Sequence, residues 1–165
     1  MSDDHARIAA EVEATCRRYI ADYPAALWLY LTEGNDIDYD ALGFWSFPMM
    51  FVIGSPEGGS SVTVVDRDLF DAQVRAVYDQ YYVDGWGGGL RLDSAKVSVV
   101  SPDVALIETS GTRFRSDGSK FNSWDSCYWM KRTAAGWKQF AVTDTEPPRP
   151  PAQEWVRWLR AAGGL

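Results

Sequence analysis

At 165 residues the chain is the length of one ordinary domain, and 46% hydrophobic against 24% charged residues excludes a disordered one. Acids outnumber bases by 23 to 16, a net charge of −7, so there is no basic stripe for phosphates and no nucleic-acid partner is expected. The one histidine, His5, lies close to the N-terminus, which excludes a Ser-His-Asp triad, a Cys-His pair and a histidine-based metal site. Acid–base chemistry here falls to Asp, Glu, Tyr, Lys or water.

The first turn carries Asp3 and Asp4 as caps, and Ile8, Val12, Cys16, Tyr19, Ile20 and Tyr23 keep helical spacing. Pro24 is expected to end or kink this helix, because its ring removes a donor and crowds the preceding turn. Residues 25–31 then read as a second short helix. The run Asp36-Ile37-Asp38-Tyr39-Asp40 reads as the cap of another turn over 41–45. It lacks the glycine and terminal glutamate of a calcium loop, so no metal is expected there. A short apolar strand follows Pro48 at 49–53, and its hairpin partner lies at 61–65 across a turn rich in Gly, Ser and Pro.

Asp66 is a good N-cap for a helix over 67–84, whose stripe is Leu69/Phe70, Val74, Val77/Tyr78 and Tyr81. Gly85-Trp86-Gly87-Gly88-Gly89 breaks it and reads as the most flexible stretch, with one large ring in its middle. Long strands follow at 90–101, 104–115, 120–133 and 137–145, with an Asp117-Gly118 hairpin signal between the second and third. Pro147-Pro148-Arg149-Pro150-Pro151 is a stiff extended linker before a last amphipathic helix at 153–162. The expected organisation is one α+β domain over 1–146, and a proline-rich linker and helix over 147–165 that docks on the body or on a partner subunit. Cys16 and Cys127 are far apart and read as buried free thiols. No run approaches the ~18 apolar residues of a membrane span, so a cytoplasmic protein without a membrane partner is expected.

The order helix, helix, hairpin, helix, four-strand meander resembles the NTF2-like superfamily and, within it, the SnoaL-like proteins. The matching residues are Leu31-Thr32-Glu33-Gly34-Asn35-Asp36, Phe47-Pro48, Val64-Val65-Asp66-Arg67-Asp68-Leu69, Asp103-Val104-Ala105-Leu106, Arg113 with Asp117-Gly118, and the two segments Tyr128-Trp129-Met130-Lys131-Arg132-Thr133 and Gly136-Trp137-Lys138. Together they span about 8–145. The resemblance implies a cystatin-like cone, with N-terminal helices packed on a strongly curved antiparallel sheet and a pocket on its concave side. It also implies a small-molecule ligand and, as in many such proteins, a homodimer paired through the sheet. Fold does not fix chemistry in this superfamily. Its dehydratase, epoxide-hydrolase and ketosteroid-isomerase residue sets find no residue-by-residue match here.

Asp125 is the most suggestive acid, lying mid-strand between Trp124 and Ser126. Facing a cone, it would meet apolar surroundings that raise a carboxyl pKa and suit it to general base work; facing outward, it would be a solvated surface acid. Alternation groups it with Ser123, Cys127, Trp129 and Lys131, a mixed set that leaves both readings open. Glu108 is the natural second carboxylate, and two acids in unlike environments can divide acid and base roles. Arg113 falls on the face opposite Glu108, where it can polarise a substrate or pair with Asp125 across the strands. Tyr128 can donate to an oxyanion or fill core. Asp144 is a third acid, and Trp124 supplies wall. Trp86 in its glycine loop, with Tyr82 before it, reads either as a lid at the pocket mouth or as a tethered surface ring. These residues suit cofactor-independent acid–base chemistry on a small apolar molecule (isomerisation, cyclisation, hydration, dehydration or epoxide opening). The alternative is a non-catalytic ligand-binding or dimerisation module.

Overall fold

A computed structural model describes residues 3–54 and 60–143. Residues 55–59, expected as a turn, Asp144, and the proline segment and helix expected within 147–165 lie outside the described residues. Helix α1 spans Asp3–Glu33 and buries Ile8, Val12, Cys16, Tyr19, Ile20, Tyr23 and Leu27 along one stripe. Contrary to expectation it does not end at Pro24, and residues 25–31 are its continuation. A mid-helix proline costs about 3 kcal/mol, but Pro24 is itself buried, and the stripe on either side of it, Tyr23 and Leu27, packs into the core. Helix α2, Tyr39–Leu42, is a single turn capped by the Asp38 carboxylate, which accepts from the Asp40 and Ala41 amides; the acidic run is a cap. Helix α3, Arg67–Val83, starts at Asp66, whose carboxylate accepts from the Leu69 amide, and buries Phe70, Val74, Val77, Tyr78 and Tyr81.

Six strands form one sheet: β1 Trp45–Gly54, β2 Ser60–Val65, β3 Gly89–Ser101, β4 Val104–Phe114, β5 Lys120–Thr133 and β6 Gly136–Thr143, in the order β2-β1-β6-β5-β4-β3. The four long strands make the expected antiparallel meander. The β1–β2 hairpin joins it through a parallel β1–β6 pair, so β1 starts at Trp45, earlier than its apolar run suggests. Side chains alternate across β4: Ala105, Ile107, Thr109 and Gly111 are buried on the concave face, while Glu108 is exposed on the other. Helix α1 lies along β3 and is clamped to the far strands by Glu11. One Glu11 oxygen accepts from Arg132 Nη2 at 2.9 Å and Trp137 Nε1 at 3.2 Å, and the Arg132 guanidinium stacks 4.8 Å over the Trp137 ring. This is the α+β, NTF2-like cystatin-like fold: N-terminal helices on a curled, mostly antiparallel sheet.

Candidate functional site

Helices and concave sheet face enclose a partly open cavity of about 200 Å³. Its helical wall comes from Tyr19 and Tyr23 of α1 and from Phe70, Val74, Val77, Tyr78 and Tyr81 of α3. Its sheet wall comes from Trp45, Met49, Phe51 and Val52 of β1, Arg113 of β4, Trp124 and Tyr128 of β5, and Gln139 and Val142 of β6. The rings brace one another. Tyr19 stacks on Phe44 at 3.9 Å between centroids, Tyr23 meets Trp45 edge-on at 5.2 Å, and Tyr78 meets Tyr23 edge-on at 5.9 Å. Such pairs contribute about 0.5–1.5 kcal/mol each beyond their buried area, which stiffens the wall.

Among the described residues, Arg113 is the one cation in that lining. It is half-buried, and its Nε is sealed from water without a hydrogen-bond partner. Its Nη1 donates to Asn122 Oδ1, directly across on β5, at 3.2 Å. Its guanidinium carbon lies 5.2 Å from the Tyr81 ring centre, 5.9 Å from Tyr78 and 6.0 Å from Trp124. Among the described residues no carboxylate pairs with it; by contrast Arg75 meets Asp71 at 2.6 Å and Arg132 meets Glu11 at 2.9 Å. Burial works against its charge, yet the neighbouring Tyr78 and Tyr81 favour it, and its pKa stands above the ordinary arginine value. Aromatic faces attract a cation by about 0.5–2 kcal/mol each, which holds a charge that would otherwise be costly to bury.

Trp124 lies against Arg113 because of Gly111. The two residues are directly paired across β4 and β5, and a Cβ on Gly111 would run into the Trp124 indole and the Arg91 carbonyl. Trp124 Nε1 is a second buried donor without a partner. Burial pushes the phenols of Tyr19, Tyr23 and Tyr128 well above their usual range, so they stay protonated at neutral pH and can donate but not act as bases.

The structure divides the residues singled out from sequence. Arg113, Trp124 and Tyr128 meet at the cavity. Glu108 and Asp125 do not: both lie on the opposite sheet face, Glu108 exposed and 3.5 Å from Lys96, Asp125 opposite Ser110. Pairing of Arg113 with Asp125 is likewise ruled out, because residues of opposite face parity point away from each other. Trp86 is neither lid nor surface ring. It is 2% exposed and donates from Nε1 to the Gly89 carbonyl at 2.9 Å, and its ring packs 5.1 Å from Tyr78 and 6.2 Å from Trp28. The glycines beside it serve close approach: Gly88, at φ +79°, sits where a Cβ would strike the Trp28 indole. Tyr82 is 45% exposed, rests on Trp28 and stays outside the cavity lining. The α3 contribution is what sequence reasoning misses. Tyr78 and Tyr81 are visible on its apolar stripe, but nothing local says that they meet Arg113.

The family comparison agrees with this geometry. Residues 10–147 match the family described as NTF2-like protein (DUF6841), and the chain belongs to that family. Among solved structures it resembles an NTF2-like superfamily protein from Salmonella enterica serovar Typhimurium, at 15% identity and a TM-score of 0.54 over 88% of this chain and 94% of that one. It also resembles an NTF2-like protein of unknown function from Pseudomonas putida KT2440, at 10% identity and a TM-score of 0.53 over 88% and 90%. At such identities the likeness is one of fold. No curated protein matches the chain. Among the described residues no helix is long and apolar enough to cross a membrane, and no group of three or more His, Cys, Asp or Glu side chains is placed to hold a metal.

Proposed function

We propose that this protein binds a small, largely apolar molecule in the concave cavity, and that binding rather than acid–base turnover is its activity. The observation that carries this is the character of the lining: rings, aliphatic side chains, one arginine and one glutamine amide, with no carboxylate among the described residues. Isomerisation, cyclisation or dehydration without a cofactor needs a base within hydrogen-bond reach of the substrate. The acids that strand position favours for that task, Asp125 and Glu108, lie behind the sheet, and the buried phenols are held in their protonated form. The wall thus offers donors and apolar area, which suits recognition.

The experiment is calorimetric titration of benzamide and cyclohexanol into the wild-type protein and into Val74→Phe, which fills the cavity from α3. Binding to wild type that is lost in V74F supports the reading. Absence of binding of either compound at concentrations up to about 10 mM, weaker than ~3 kcal/mol of affinity, overturns it.

A further inference from the structure

We infer that the ligand is a small organic monocarboxylate, one ring or a branched apolar tail in size, seated with its carboxylate on Arg113. This rests on the small-molecule reading above and specifies it.

A buried cation is normally matched by a carboxylate, because an unmatched charge in a dry site is costly. Arg113 has none among the described residues, and rings surround it instead. Its hydrogen bonding is also incomplete. Nη1 is spent on Asn122, while Nε, on the other side of the fork, has no partner. Trp124 Nε1, in the same wall, is unpartnered as well. Both of those nitrogens lie sealed beneath protein atoms, but Arg113 itself lines the cavity, and a planar guanidinium matches the two oxygens of a carboxylate.

Charge and size narrow the class. Among the described residues the lining holds a single cation, so one negative charge is neutralised and a second would be buried without a partner. That favours a monoanion over a phosphate ester. Cavities of about 150 Å³ already accommodate benzene; 200 Å³ leaves room for one six-membered ring with a carboxylate attached. The remaining surface, from Tyr23, Phe70, Val74 and Val77, would contact the tail.

Calorimetric titration at neutral pH with benzoate, its neutral isostere benzamide, and phenyl phosphate tests this in wild type and in Arg113→Met. In wild type benzoate should bind at least roughly tenfold more tightly than benzamide and more tightly than phenyl phosphate; in R113M the preference for benzoate should vanish while benzamide still binds. The wild-type comparison stands alone should R113M fail to fold. Equal affinity of benzoate and benzamide for wild type overturns the carboxylate anchor and leaves the cavity reading intact. Tighter binding of phenyl phosphate overturns the monocarboxylate class. Failure of all three to bind overturns both the anchor and the cavity.

Discussion

Replacing Arg113 with methionine removes the charge but keeps an unbranched side chain that can lie against Tyr78, Tyr81 and Trp124. The guanidinium lies 5.2–6.0 Å from those ring centres, near the outer limit of a useful cation–ring interaction. Each ring contributes about 0.5 kcal/mol and the 3.2 Å hydrogen bond to Asn122 about 1 kcal/mol, so the substitution removes roughly 2–3 kcal/mol of favourable interaction. Burial opposes the charge, but the raised pKa of the guanidinium means that its neighbours outweigh that opposition, so the substitution costs stability on balance. R113M is therefore expected to be less stable than wild type, by about 1 kcal/mol once relief from burying the charge is set against those losses, which for a chain of this size lowers Tm by roughly 2–4 °C. Urea denaturation followed by circular dichroism measures it, provided the m-value is unchanged. A loss of about 3 kcal/mol or more is the signature of breaking a buried ion pair. That result would mean that Arg113 already has an intramolecular carboxylate, and the cavity would not need an anionic ligand.

Three further outcomes follow from the same structure. Trp86→Ala should destabilise the protein by about 3–5 kcal/mol in urea, as truncation of a buried indole does; a change under about 1 kcal/mol would restore the mobile-lid reading. Burial pushes the Cys16 thiol up to about 12 and the Cys127 thiol up to about 11, so neither should react with a thiol reagent at pH 8 until the protein is unfolded. Because both values are raised, the stability they contribute is present below the ordinary thiol value of about 8.5 and is lost as pH climbs through 11 and 12. The Trp137 indole N–H, with Arg7 and Arg132 behind it, holds the Glu11 carboxyl below its ordinary value. Its contribution to stability is therefore present above about pH 4.3 and fades as pH falls through the lower folded value. Trp137→Phe should bring the Glu11 carboxyl back toward its ordinary value in an NMR titration, and an unmoved value would dissociate Glu11 from that clamp.

Much of this fold is legible in local signals, and the reasons differ from one residue to the next. Asp38 and Asp66 announce helix starts because a short carboxylate satisfies amides that no helical carbonyl reaches. Alternation along β4 places Arg113 and Glu108 on opposite faces, and the structure keeps them there. Alternation cannot say which face turns inward. On β5 the residues from Phe121 to Ser126 are all half-buried, so no contrast marks the concave side, and Asp125 looks as eligible as Trp124. The decisive contacts join β4 to α3, more than 30 residues away in sequence, and pairing at that separation leaves no periodic trace. One misreading has a plain cause. Pro24 reads as a break on propensity, yet packing within the stripe of α1 keeps it inside the helix, whereas the glycine stretch does follow the end of α3 at Val83. Parallel pairing of β1 with β6 is equally out of reach, since it depends on how the sheet closes.

A crystal structure of the protein grown with benzoate would bear most directly on the cavity and its anchor. The carboxylate should lie within hydrogen-bond distance of the Arg113 guanidinium, with its ring enclosed by the aromatic wall. A benzoate turned ring-first toward Arg113, or bound only outside the cavity, would contradict it.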